Sequence, residues 1–308
     1  MPQTRYSLVF SKMKTAIEEE ITAKSLEFTE KLSRYALKYS EPPILSESMN
    51  YSLFADAKRI RPVLFTETVR MFGGDESEAL PLAAGLEMIH TYSLIHDDLP
   101  CMDDDDLRRG KASNHIVFGY PVALLAGDAL LNSAYETMIS GYFRTARKTK
   151  YMRAFAEIAG AAGVLGMIGG QCADIIYENK DPNKDILEFI HKNKTGAMIK
   201  ASVYAGALFS GARKEELELI STYGECIGFM FQIVDDILDI TGDTETMGKK
   251  TSSDEKLSKM TYPYVHGLEN AYRETEYLNE KAVQAMLPFK EKGEFFINLA
   301  DYLAARMR

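Results

Sequence analysis

Apolar residues recur at spacings of three and four along nearly all of this chain, and the alternation that marks a half-buried strand is almost absent. That period constrains the fold to packed helices, because it gathers side chains on one face of a helix and cannot line one face of a sheet. Short clusters of helix breakers punctuate it: Glu41-Pro42-Pro43, Gly73-Gly74-Asp75, the stretch from Pro100 to Pro121, Asp181-Pro182, and the stretch from Thr241 to Pro263. Asp75 is placed to cap the helix after its two glycines, and Asp181-Pro182 reads as a cap with proline in the first helical position. No Ser/Pro-rich linker, low-complexity tract or charge block divides the 308 residues. The expectation is all-α: one domain over 1–308, a bundle of about ten or more helices sharing one core.

Charge narrows the function classes. With 45 acidic against 36 basic residues, a net charge of -9, the balance has the wrong sign for a nucleic-acid or anionic-membrane binder. Cys101, Cys172 and Cys226 are too few and too scattered for a disulfide framework or a zinc site, which points to a reducing, cytoplasmic setting. No signal-length apolar run opens the chain. Its least polar segment, Ile158 to Gly170, falls short of the roughly 18 apolar residues of a membrane span, so no span is expected.

Acid is concentrated in two clusters, Asp97-Asp98 with Asp103, and Asp235-Asp236 with Asp239. Around the second, GFMFQIVDDILDI, a helix places Gln232, Asp235, Asp236 and Asp239 at i, i+3, i+4 and i+7. This polar stripe runs between two apolar ones, Ile227-Phe231-Val234-Leu238 and Met230-Ile233-Ile237-Ile240. A helix apolar on both flanks is expected to be buried, so its carboxylates should face the interior and not a solvated surface. Three buried like charges cannot persist unpaired, and a cation is expected among them. Oxygen ligands without Cys or His select Mg²⁺, Ca²⁺ or Mn²⁺. Mg²⁺ on few carboxylates completes its shell with water and phosphate oxygens, which predicts a phosphorylated substrate.

The first cluster, SLIHDDLPCMDDDDLRRGK, ends an apolar helix that begins near Leu80. Asp97 and Asp98 fall in the last turn, Cys101 occupies the position four on, and Pro100 prevents regular helix there. The third ligand is therefore displaced to Asp103 on a bent continuation, while Asp104, Asp105 and Asp106 are expected to be solvated or paired with arginines. An EF-hand is excluded by Arg108 where the loop needs glycine. Arg108, Arg109 and Lys111 either form a salt-bridge cluster with these aspartates or hold a diphosphate beside the metal through planar, bidentate guanidinium groups.

The segments AKRIRP, EMIHTYSLIHDDLPCMDDDDLRRGK, AGDALL, GGQCADI, KTG, FQIVDDILDITGDTETMGKK and KMTYP, in this order, resemble the trans-isoprenyl diphosphate synthase family. Within it the chain is most similar to the bacterial type of farnesyl diphosphate synthase, and the likeness covers nearly the whole sequence. The resemblance implies helices around a central active-site cavity, and an enzyme that joins isopentenyl diphosphate head-to-tail to dimethylallyl and geranyl diphosphate. It implies about three Mg²⁺ per site, with Mn²⁺ as a substitute, and a homodimer. Asp97, Asp98, Asp103 and Asp235 would bind metal, and Asp236 and Asp239 would complete the catalytic set. Lys58, Arg61, His90 and Arg109 would hold isopentenyl diphosphate. Arg108, Lys194, Thr195, Gln232 and Lys249 would hold the allylic diphosphate, with Gln171 and Lys259 behind them. Ala57 stands where the family carries glycine, which bears on local loop flexibility.

Helix geometry accommodates these roles. His90, seven residues before Asp97, shares its helix face about 10 Å along the axis. Gln171 and Asp174 share a face beside a glycine-rich segment suited to close packing. Ser93 lies one turn beneath Asp97, and Tyr92 flanks the path a growing chain would take. In the family an aromatic there, with the Pro100-Cys101 insertion, resembles enzymes that stop at fifteen carbons. The alternatives are a geranylgeranyl diphosphate synthase and a class I terpene cyclase, which would need neither the second cluster nor the isopentenyl site.

Overall fold

A computed structural model describes the backbone of residues 3–35, 42–178, 180–181, 183–241 and 261–307, with side chains from residue 15. Lys249 and Lys259 lie outside the described residues, as do Glu41 and Pro182. Fourteen α-helices are present among the described residues, as the period required, and the chain divides into two compact units.

The first unit comprises residues 21–155 with 208–211. It takes in the second part of α1 (Gln3–Leu32), α2 (Pro43–Leu53), α3 (Ile60–Met71), α4 (Glu76–Asp97), α5 (Asn114–Phe118) and α6 (Tyr120–Arg144). Helix α4 is its centre: Leu82, Ala84, Leu86, Met88 and Ile89, which point to more than one side of the helix, are inaccessible to solvent. It starts where the sequence placed it, with the Asp75 carboxylate accepting from the Ser77 and Glu78 amides. Helices α2, α3 and α6 pack around it. Tyr151, fully buried, donates its hydroxyl to the Met138 carbonyl at 2.8 Å and ties the start of α7 (Lys148–Ala162) to α6.

The stretch from Pro100 to Pro121 is more than a break. It contains α5 and a two-stranded antiparallel hairpin, β1 (Leu107–Arg108) with β2 (Lys111–Ala112). The turn residues Arg109 and Gly110 both have positive φ, 56° and 76°, as the tight hairpin turn of a right-twisted ribbon demands. An all-helical reading could not show this piece, because two-residue strands carry no alternation to detect.

The second unit comprises residues 1–20, 156–207 and 212–308. Its helices are α8 (Met167–Tyr177), α9 (Lys184–Ile190), α10 (Ala197–Ser210), α11 (Lys214–Thr241), α12 (Tyr262–His266), α13 (Leu268–Met286) and α14 (Glu294–Ala305). Helix α11 packs on α13 and α14, and the buried Tyr223 hydroxyl donates to the Phe296 carbonyl at 2.8 Å. The cap of α9 is Asn183, whose side chain accepts from the Asp185 and Ile186 amides. The Asp181-Pro182 cap expected from sequence is displaced by two residues, since Asn is as good a cap as Asp and stands nearer the apolar run.

The 30-residue stretch Lys148–Tyr177 contains an 18-residue window with a mean hydropathy of 1.3, apolar enough to cross a membrane by length and composition alone. A turn at residues 163–166 splits it into α7 and α8, of 15 and 11 residues, each shorter than the roughly 20 a spanning helix needs.

Candidate active site

In the first unit the carboxylates stand at the broken end of α4. Asp98 is its C-cap, and the chain then folds back, so that the Asp103 amide donates to the Asp97 carbonyl at 2.8 Å. The displaced third carboxylate is thus returned to the helix end by a backbone hydrogen bond. Arg108, on β1, donates through both Nε (2.8 Å) and Nη2 to Asp98 Oδ1, and lies 3.4 Å from Asp105. Burial pushes the Asp98 carboxyl above its ordinary range, against the opposing pull of Arg108. Lys111 reaches Asp56 only at 3.9 Å. Of the two readings of the basic trio, the salt-bridge geometry describes Arg108 in this state.

The basic residues expected to hold isopentenyl diphosphate gather nearby. Arg61 Nη1 donates to His90 Nε2 at 3.4 Å, which fixes the ring as acceptor at that nitrogen. Burial drives the His90 pKa well below its usual range, and the charges of Arg61 and Arg109 push it further, so the ring stays neutral. Arg109 Nη1 donates to the Asp56 carbonyl, and Lys58 is exposed on the same loop. Tyr92 is 6% exposed and packs edge-on against His96 at 5.7 Å, while Ser93 donates to the His90 carbonyl.

In the second unit the stripe on α11 is as regular as its spacing predicts, and its burial is graded. Met230, Ile233, Val234 and Ile237 are buried, Asp236 and Asp235 are 16% and 38% exposed, and Asp239 and Ile240 lie in the open. The fully interior stripe expected from two apolar flanks is corrected, because the helix ends at Thr241 and its last turn has no cover among the described residues. Burial raises the Asp235 carboxyl to about 6, with Asp239 and Asp236 adding repulsion and Arg306 opposing it. Arg306 Nη1 lies 3.3 Å from Asp235, and Asp236 Oδ2 accepts the Tyr262 amide at 2.7 Å and sits 3.3 Å from His191 Nε2.

The stripe meets the KTG segment through a π-helical turn, His191–Gly196. Thr195 donates to Gln232 at 2.7 Å, and Lys194 bridges to Asp174 at 2.5 Å. Glycine makes the approach possible: a Cβ on Gly228 would lie 2.7 Å from the Gly196 Cα, and one on Gly170 would overlap the Lys194 backbone. The buried Gln171 Oε1 beside it has no hydrogen-bond partner. Arg306, His191 and the Tyr262 amide were not expected from the sequence. Only His191 leaves a trace there, three residues before Lys194 on one helix face.

The carboxylates of both units offer oxygen alone, the donor set of a hard divalent cation. Among the described residues no three acidic or metal-ligating side chains already converge on one point. Metal and substrate oxygens would have to complete the shell. A sequence model of the polyprenyl synthetase family matches residues 42–292, through both clusters. The chain belongs to that family. Its members are prenyltransferases of the trans-isoprenyl diphosphate synthase kind, and so is this chain.

Its relatives include the heterodimeric geranylgeranyl pyrophosphate synthase large subunit 1 of Arabidopsis thaliana, a chloroplastic protein 45% identical over 276 residues, 88% of this chain and 74% of that one. The geranylgeranyl pyrophosphate synthase of Catharanthus roseus is 44% identical over 273 residues, 88% of this chain and 76% of its own. Among solved structures, an FPP/GFPP synthase of Zymomonas mobilis superposes with a TM-score of 0.83 at 29% identity, covering 94% of this chain and 99% of its own. A geranyltransferase of Legionella pneumophila gives 0.81 at 28% identity over 97% and 98%.

Proposed function

We propose that this polyprenyl synthetase condenses isopentenyl diphosphate with short allylic diphosphates and releases geranylgeranyl diphosphate. The observation that carries the product is the relatives' names: those at 44–45% identity are geranylgeranyl synthases, which favours twenty carbons over the fifteen expected from the motif. A farnesyl product is the second reading, and one feature favours it, the buried ring of Tyr92 five residues before Asp97. Incubation with isopentenyl diphosphate, Mg²⁺ and each allylic diphosphate, then chromatography of the dephosphorylated alcohols, decides between them. If Tyr92 is the floor of the chain's path, Tyr92→Ala lengthens the product; an unchanged alcohol removes that role.

In this reading Lys58, Arg61, neutral His90 and Arg109 bind the isopentenyl diphosphate, and Arg108, Lys194, Thr195 and Gln232 orient the allylic one. Asp97, Asp98 and Asp103 in the first unit, and Asp235 in the second, would hold Mg²⁺, which would supply charge neutralisation of the diphosphate leaving group. Asp236 and Asp239 support it from the same stripe. Arg108, whose Nε and Nη2 both converge on Asp98 Oδ1, would turn these donors to phosphate oxygens of the substrate. The allylic C–O bond then ionises to a delocalised cation, the isopentenyl double bond attacks it, and a proton leaves to the departing pyrophosphate. No covalent nucleophile is required. Because the family match runs through both units, we treat them as one catalytic domain.

A homodimer is part of the proposal. Helix α6 exposes Tyr120, Leu124, Leu125, Ile139 and Phe143, an apolar surface that a second copy would cover. Gel filtration at the 34.6 kDa of one chain would remove it. The three cysteines are free, which supports a reducing compartment such as the cytoplasm.

A further inference from the structure

Buried among the cations of the first unit is a carboxylate that the proposed chemistry does not use. Glu87, on α4 one turn before His90, has a side chain 1% exposed, and Arg59 Nη1 donates to its Oε1 at 2.5 Å. The Arg59 side chain is also 1% exposed, and its Nη2 donates to the Ala55 carbonyl at 2.7 Å. One guanidinium therefore clamps the central helix to the loop that carries Lys58.

The backbone at Arg59 gives the clamp its purpose. This residue sits at φ 48°, ψ 37°, the left-handed region, which a residue with a Cβ enters only when its surroundings compel it. Its carbonyl accepts the Val63 amide at 3.0 Å and so starts α3, one residue before Ile60 and two before Arg61. The turn at Arg59 thus decides how Lys58 and Arg61 leave the backbone on either side of it. Ser25, donating to the Ala57 carbonyl at 2.8 Å, pins the loop from α1.

Glu87 has a second effect. Arg61 is half-buried, with its enclosed Nε lacking a partner, and desolvation lowers its pKa to about 10 while the Glu87 charge opposes that fall. Glu87 is thus the counter-charge for Arg59, Arg61 and Arg109 together, and its own Oε2 remains without a hydrogen-bond partner.

We propose that Arg59 and Glu87 are positioning residues for isopentenyl diphosphate, their buried ion pair holding the left-handed turn from which Lys58 and Arg61 reach the substrate. This rests on the assignment of Lys58, Arg61 and His90 to that substrate. Preorganised placement is what such a pair contributes, and its loss costs binding of one diphosphate and not of the other.

A double substitution separates positioning from folding. Arg59→Met with Glu87→Leu replaces the pair by apolar groups of similar volume, a change that buried ion pairs often tolerate in stability. The expected result is a melting temperature at or above that of the parent and a KM for isopentenyl diphosphate raised about tenfold or more. The KM for the allylic diphosphate and kcat should stay within about twofold. If the isopentenyl KM returns to the parent value with the melting temperature, the pair is structural and the proposal falls. Should the double variant not fold, Arg59→Lys keeps the charge but loses the fork; a raised isopentenyl KM supports the proposal and an unchanged one overturns it. Arg61→Ala is the control for the underlying assignment. If it leaves the isopentenyl KM unchanged, the assignment fails and takes the proposal with it; if it raises that KM while the pair variants do not, only the positioning role is lost.

Discussion

The two aspartate clusters hold the same residue type at the same count, and the chain builds them by opposite means. On α11 the carboxylates are spaced by helix geometry alone, and their environment is set by where the helix ends. At α4 the helix stops, and the third carboxylate is brought back by the Asp103 amide on the Asp97 carbonyl and by a hairpin that delivers Arg108 to Asp98. One cluster is held by periodicity, the other by loop hydrogen bonds. The basic partners follow suit: Arg108 is ten residues from its carboxylate, Arg306 seventy-one.

The strongest way to break this comparison is to remove one carboxylate from each side. Asp97→Ala and Asp235→Ala should each lower turnover by on the order of 10³-fold or more in a prenyl-transfer assay with Mg²⁺. A near-normal rate in either variant would show that its cluster does not serve the chemistry. Changing the scaffolds and leaving the carboxylates intact sharpens the comparison. Gly228→Ala puts a Cβ 2.7 Å from the Gly196 Cα, forces α11 from the KTG turn, and should cost about 1–3 kcal/mol in denaturant unfolding. Gly110→Ala, at φ 76° with open space around it, should cost about 1–2 kcal/mol, and its effect on turnover should appear through Arg108 and not through Lys194.

The smallest effect is in pH. Asp235 titrates near 6 in the folded chain against an ordinary 3.8, so the stability it lends is complete below 3.8 and is lost as pH rises through about 6. Its side chain is 38% exposed, so solvent screening keeps the effect modest. In metal-free protein Asp235→Asn should raise the thermal midpoint by roughly 1–3 °C at pH 8 and leave it unchanged at pH 4. A gain of the same size at both would show that desolvation of the charge is not its cause.

Much of this was legible in the residues. The 3.6 period required helices, Asp75 marked the start of α4, Pro100 marked its end, and the stripe from Gln232 to Asp239 followed from spacing. These features are local: a cap, a ring without an amide hydrogen, or a period acts within a few residues of its own position. The hairpin at Arg109-Gly110 was hidden because its strands are too short to alternate. The product expectation moved from fifteen to twenty carbons once the relatives were compared, since one aromatic at Tyr92 says little about the whole path of a growing chain.

By itself the sequence determined the fold class, the two carboxylate sets and the hard-cation chemistry they offer, because each depends on residue type and short-range spacing. Only the tertiary structure decided which charges are paired. Arg306 with Asp235, His191 with Asp236, and Arg59 with Glu87 join residues between 28 and 71 positions apart. Burial decided them too, since desolvation keeps His90 neutral and raises Asp235, and desolvation depends on what the rest of the chain packs against a side chain.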